Sequence, residues 1–513
     1  MPIRLPFENL IVPLRQLRAR VSASTLTRHG AAVLFLPLKP SAEQWAGLPH
    51  SDALRGLYAS KVRKEGDFCQ LRVGPDAATL LIAVCPVANA STFERLQSAA
   101  KIARAALESE PKTLLIWQQG CDLKAVEPAL HAAVAAIQAA AFRFATFKSK
   151  PKLRTPLERI DLALAHRLPG LEATLATSGG NNLARWLTAL PPNSLNAAAY
   201  RRLLRDLARH LKLSFRFYGE PELRRLGAGA FLAVSQGNGT RDAGIVRLAY
   251  RPRGAAAPAV SLVGKGICFD TGGTNLKAHK GMLDMHIDME GSAVAVGSLF
   301  ALHAVHSPAA VDCWLAITEN RTGPLAYKPQ DVVRAQNGTT IQVIHTDAEG
   351  RMVLADTLCL AARANPGAII DYATLTGACV YALTERYSGA FTNRPEGREA
   401  IEAAGAASGE RVWCFPMDKD FDSDLESAVA DVLQCSIDSK GDHILAARFL
   451  SRFVPKDIPW LHLDLAAGTR HGGLAHIATE ITGFGVRYTL ELLGGGWPTL
   501  PAVQRARAAR MGF

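Results

Sequence analysis

Between residues 31 and about 145 the chain alternates apolar runs with alanine-rich amphipathic stretches. "AAVLFLPL", "TLLIAVCPV" and "TLLIWQQG" alternate with "TFERLQSAAKIARAALESE" and "AVEPALHAAVAAIQAAAF". Short continuous apolar runs read as buried strands and the longer periodic stretches as helices, which predicts an α/β layer structure. Residues 146–180 begin basic and proline-containing and end in Gly-Gly. That composition predicts a linker over 151–180, between a smaller N-terminal α/β domain (1–150) and a larger C-terminal catalytic α/β domain (181–513). In the second region, strands are expected at "AVSLVGKGICF", "VDCWLAIT", "TTIQVIHT", "AIIDYATL", "RVWCFP" and "WLHLDLA". Helices are expected at about 291–306, 352–364, 376–386 and 443–454. This order predicts a mostly parallel central sheet flanked by helices, with ligands bound beyond the carboxyl ends of its strands.

Composition narrows the class. With 513 residues, 48% hydrophobic and 20% charged, the chain can bury a large core, and disorder is excluded as its general state. No run of about 18 uncharged apolar residues occurs, and arginines are scattered through the first 20 residues, so neither a membrane span nor a secretory signal is expected. Nine cysteines lie mostly inside apolar runs, without CxxC pairing, which predicts reduced thiols and a cytoplasmic protein. Of the net charge of +12, +9 falls in residues 1–180. A basic N-terminal region leaves DNA binding as an alternative function, although no basic stripe interleaved with aromatics accompanies it.

Two segments concentrate ionisable residues. "VGKGICFDTGGTNLKAHKGMLDMHIDMEG" holds Lys265, Asp270, Lys277 and Asp288, and "IHTDAEGRMVLAD" holds Asp347, Glu349 and Arg351 where an apolar strand is expected to give way to a helix. Carboxylates gathered at one place repel unless a cation intervenes, so Asp270, Asp288, Asp347 and Glu349, with lysine amines, suit two divalent ions bridged by a shared carboxylate. Gly272 and Gly273 let the backbone approach a ligand, while Lys277 and Arg351 supply positive charge for an oxyanion or a bound anion. Carboxylates alone would equally allow a two-metal phosphoesterase.

The motifs "GKGICFDTGG", Lys277, the "DM" of Asp288 and Met289, "TDAEGR" and "ATLTGA" resemble, in order and spacing, the leucyl aminopeptidase (cytosol aminopeptidase) family. The likeness runs from about residue 180 to "ITGFGVRYTLELL" near the C-terminus. It implies a two-metal exopeptidase, usually a homohexamer, releasing N-terminal residues from peptides, with leucine-type apolar residues preferred. The implied metal ligands are Lys265, Asp270, Asp288, Asp347 and Glu349, with Asp270 and Glu349 shared. Zinc or manganese are the expected ions, and magnesium or cobalt are also compatible with the donors. Lys277 is implied to polarise the scissile carbonyl, and Arg351 to hold a bicarbonate ion serving as general base toward the metal-activated water. Thr374, Leu375 and Gly377 resemble the family's peptide-binding edge, and Met285 and Ile481 the pocket for the first side chain. The sequence departs from the family at His345 (usually Asn), Glu290 (usually Gly) and Thr274-Asn275 (usually Ile-Ser). Glu290 is expected either to crowd the metals or to point away, and His345 to act as a hydrogen-bonder beside the ligands.

Overall fold

The computed structural model describes residues 3–151, 154–255, 257–438 and 440–498. Two large sheets organise them. The first has six strands, in the order Leu14–Leu17, Arg159–Ala163, Thr113–Gln118, Ala31–Phe35, Thr79–Val84 and Phe68–Val73. All neighbours are parallel except the last pair. Helices Thr92–Glu108 and Leu123–Ala141 cover one face and Ser51–Lys61 the other.

The second sheet has eight strands, in the order Val412–Cys414, Ser388–Thr392, Trp460–Asp464, Ile369–Ala373, Val260–Asp270, Val311–Asn320, Gly244–Tyr250 and Ser214–Gly219. Its four central strands, Trp460–Asp464 to Val311–Asn320, are mutually parallel, while antiparallel pairings begin on both sides of them. Alternation along the strands sorts side chains into two cores. Leu262, Cys268, Leu315, Ile370 and Tyr372 face helices Leu171–Thr188 and Glu290–Ala304. Val263, Ile267, Trp314, Ala316 and Ile369 face helices Gly229–Ser235, Glu349–Ala362 and Asp442–Ser451. The fully buried leucine, isoleucine and valine side chains among them each contribute about 1.5–3 kcal/mol of hydrophobic stabilisation. The mixed α/β class with a parallel-rich centre is therefore as the sequence predicts.

Three local expectations change. The stretch read as a linker carries strand Arg159–Ala163, whose Ile160 and Leu162 are fully buried inside the first sheet, and the start of helix Leu171–Thr188. Its basic, proline-containing beginning masks that short apolar pattern. "TTIQVIHT" supplies only strand Thr340–Gln342, which joins a separate three-stranded sheet with Val332–Arg334 and Val432–Leu433. Asp347 therefore follows a loop, and not a strand of the central sheet. Among the described residues no helix is long and apolar enough to cross a membrane.

Candidate active site

The four central parallel strands end on one edge, at Asp270, Asn320, Ala373 and Asp464. Beyond that edge lies a cleft of about 580 Å³. Lys265, Asp270, Lys277, Met285, Asp288, Asp347, Glu349, Arg351, Thr374, Leu375 and Gly377 all line it, and so does His345. Of the residues given metal, catalytic or substrate-binding roles from sequence, Ile481 is the exception: it forms a bridge to Thr469, and Thr469 lines the cleft.

Two ammonium groups interleave with four carboxylates. Lys265 Nζ donates to Asp288 Oδ1 at 2.7 Å and to the Thr374 carbonyl at 2.9 Å, and lies 2.9 Å from Glu349 Oε1. Lys277 Nζ lies 3.0 Å from Asp270 Oδ2 and 2.6 Å from Asp347 Oδ1. One oxygen from each of Asp270, Asp347 and Glu349 falls within 4.8 Å of the others. Burial opposes the charge of Lys265, yet Asp288, Glu349 and Asp270 outweigh it and hold the amine above the usual lysine range. Burial, reinforced by Asp270, pushes Glu349 up to about 8; burial likewise pushes Asp288 up to about 6, against the pull of Lys265. Asp347 is raised by burial and by Asp270. Carboxylates forced together against their own repulsion, with Asp288 Oδ2 buried and lacking a hydrogen-bond partner, fit a pair of divalent cations.

Neutral residues hold the two charged segments in register, a role the sequence reading assigned to none of them. Asn320 Nδ2 donates to Asp270 Oδ1 at 2.8 Å and to the Thr346 carbonyl at 3.0 Å, joining a strand end to the second segment. Thr346 Oγ1 donates to the Gly272 carbonyl at 2.6 Å and accepts from the Asn275 backbone N–H at 2.8 Å. Asn275 Oδ1 in turn accepts from the Thr346 N–H at 2.9 Å. The departure at Asn275 is thus part of the staple. Gly272 adopts φ 85°, and a Cβ there would sit 2.8 Å from Asp347 Oδ1, so glycine is required on both counts. Asp464 Oδ1 accepts from the Leu375 N–H and its Oδ2 from the Thr376 hydroxyl, at 3.2 and 2.6 Å, which fixes the loop that carries the proposed peptide edge.

The other departures resolve simply. Glu290 is absent from the cleft lining; its carboxyl packs against Gly468, and burial pushes it up to about 8. His345 Nδ1 accepts from the Asp347 N–H at 3.3 Å, a hydrogen bond beside the ligand set.

The description "Cytosol aminopeptidase family, catalytic domain" matches residues 182–490. The chain belongs to the cytosol aminopeptidase family. A probable cytosol aminopeptidase of Synechococcus sp. (strain CC9605) is 37% identical over 407 residues, covering 78% of this chain and 82% of its own. One from Syntrophotalea carbinolica is 35% identical over 446 residues, with 84% and 89% covered. Among solved structures, the bottromycin maturation enzyme BotP in complex with Mn superposes with a TM-score of 0.77 at 30% identity, covering 90% of this chain and 98% of its own. As a cytosol aminopeptidase family member the protein is a hydrolase, a metal-dependent aminopeptidase.

Proposed function

We propose that the cleft removes apolar, leucine-type residues from peptide N-termini with two divalent ions held by Lys265, Asp270, Asp288, Asp347 and Glu349. The observation that carries this reading is the convergence of all five side chains, with Lys277 and Arg351, on one cleft beyond the parallel strands. Two bound ions would supply Lewis acidity to water and carbonyl and a seat for the substrate's free amine. Zinc or manganese suits the mixed amine and carboxylate donors, and the similar enzyme BotP is solved in complex with Mn. Asp270 and Glu349, two of the three carboxylates whose oxygens lie within 4.8 Å of one another, are suited to be shared.

Lys277 is only partly enclosed, with its side chain 17% exposed, and it lines the cleft with its ammonium between Asp270 and Asp347. Its role is to donate to the oxygen as negative charge develops there. Thr374, Leu375 and Gly377 also line the cleft and are suited to pair with an extended peptide, while Met285 is suited to the apolar pocket for the first side chain. Ile481 stands one residue layer behind, through Thr469. A homohexamer in the cytoplasm is the assembly and compartment this reading carries.

Bicarbonate on Arg351 fits less well. The guanidinium's Nη2 donates to Asp442 Oδ2 at 2.7 Å and its Nη1 to the Gln434 carbonyl at 3.3 Å, so only Nε has no partner. No step is assigned to that ion.

The test is release of p-nitroaniline from Leu-p-nitroanilide with Mn or Zn, set beside metal content. Glu349→Gln keeps the shape and removes a shared ligand charge. The expected outcome is loss of about one ion per subunit and at least a 100-fold fall in kcat/KM. Full metal content and turnover in Glu349→Gln, or no turnover by the wild type across N-terminal residues and ions, would sink the reading.

A further inference from the structure

We infer that Asp442 is the anion that Arg351 holds beside the reacting groups, so that the enzyme's general base is a carboxylate of its own chain and no dissolved anion is needed. This deepens the aminopeptidase reading and rests on it. Arg351 lies in the first turn of helix Glu349–Ala362, two residues after a candidate ligand, and its side chain is 1% exposed. A guanidinium so deeply enclosed demands a compensating anion. The chain supplies one. Asp442 opens helix Asp442–Ser451, directly after Gly441 in a left-handed conformation (φ 63°), and the two helices pack against one another. Its Oδ2 meets Arg351 Nη2 at 2.7 Å.

Three further observations support a role in the reaction. Asp442 and Arg351 both line the cleft that holds Asp347 and Glu349. The Asp442 side chain stays 22% exposed, far more open than the arginine it neutralises, and its Oδ1, itself enclosed, has no hydrogen-bond partner, so acceptor capacity remains. The pair is also tied to the ligand loop. The Gln434 carbonyl accepts from Arg351, its Oε1 accepts from the Ile344 and His345 N–H groups at 3.1 Å, and its Nε2 donates to the Ala348 carbonyl at 3.0 Å. A carboxylate anchored by its own backbone is always present at the guanidinium, whereas a dissolved anion would first have to displace it.

The chemistry balances without another reactant. One O–H bond of water breaks and the proton goes to the Asp442 carboxylate. The hydroxyl oxygen forms the new bond to the scissile carbonyl carbon. As the C–N bond breaks, the proton passes to the leaving amine nitrogen, giving a free amino acid and a shortened peptide.

The experiment compares the metal-loaded wild type with Asp442→Asn, which keeps the side chain's shape, and Asp442→Gly, which opens the anion position. Rates are read in CO2-free buffer with and without about 10 mM bicarbonate, and binding of 13C-bicarbonate is followed by NMR line broadening. The wild-type rate is expected to be insensitive to bicarbonate and its NMR signal unbroadened. Asp442→Asn should lose about 100-fold, the scale of a general base. Asp442→Gly should lose as much, regain at least tenfold with bicarbonate, and broaden the signal. A wild type that binds bicarbonate and slows tenfold without it, or an Asp442→Asn enzyme at full rate, overturns the inference. If the wild type shows no aminopeptidase turnover at all, the functional reading fails by itself, while the NMR comparison still decides which anion occupies Arg351.

Discussion

Thr346→Val tests whether the two charged segments act as one unit. Thr346 is fully buried, and valine matches its volume while replacing the hydroxyl by a methyl. The substitution deprives the Gly272 carbonyl of its donor at 2.6 Å and the Asn275 N–H of its acceptor at 2.8 Å. A buried polar group left unpaired costs about 1–3 kcal/mol. Gly272 is buried and Asn275 half-buried, so about 2–4 kcal/mol is expected to be lost from the loop that carries Asp270 to Lys277. The incoming methyl also cannot rest 2.6 Å from a carbonyl oxygen, so Gly272 must move, and Asp347 Oδ1 lies beside it. A displacement of the order of 1 Å costs about 100-fold in a positioned reaction. Urea denaturation, chelator competition for metal and Leu-p-nitroanilide kinetics read the three consequences separately. Thr346→Ser, which keeps the hydroxyl, should stay within about threefold of wild type, since only one methyl's burial, about 1 kcal/mol, is lost. A valine variant that matches wild type in metal affinity and kcat/KM would refute the staple.

Two further outcomes are expected elsewhere. In Gly350→Ala a Cβ would meet Lys265 Cε at 2.7 Å and Nζ at 2.8 Å, so the amine is pushed from Asp288 and Glu349; metal content after dialysis should fall together with a tenfold or larger loss of activity. His462 Nδ1 lies 2.6 Å from Asp371 Oδ1, both fully buried, and although burial opposes its charge Asp371 raises the imidazole above 6.5. A raised histidine contributes stability that is complete below about pH 6.5 and is lost as pH climbs through the folded-state value, so Asp371→Asn should destabilise by about 3 kcal/mol at pH 6 and by less at pH 9 in urea titrations. Equal losses at both values would contradict the charged pair.

The charges of this site were legible in the sequence because each sits in a short local pattern: Lys265 and Asp270 in one apolar strand with its following glycines, Asp347, Glu349 and Arg351 at alternate positions. The central strands were legible for the same reason, as continuous apolar runs. What joins them was not. Asn320 and Gln434 are ordinary neutral residues that nothing near them in sequence marks, and Thr346, although it opens the TDAEGR motif, has partners far earlier in the chain. Asp442 stands 91 positions from Arg351, in a polar stretch that reads as surface until the fold brings the two helices together. The outer strands Ser214–Gly219 and Gly244–Tyr250 escaped notice because an arginine interrupts the apolar pattern of each. Ile481 shows the converse: a motif can match while the side chain that reaches the cleft belongs to its bridging partner.

Lys265 and Lys277 have a consequence for the empty protein. Four carboxylates packed together would carry a formal charge of about −4 if all were ionised, and the two amines seated between them reduce this to about −2. The centre is thus internally buffered, its lysines acting as resident counterions. A chelator should therefore strip the metal and leave the chain folded, and the same vacated shell should accept a different divalent ion on exposure to it.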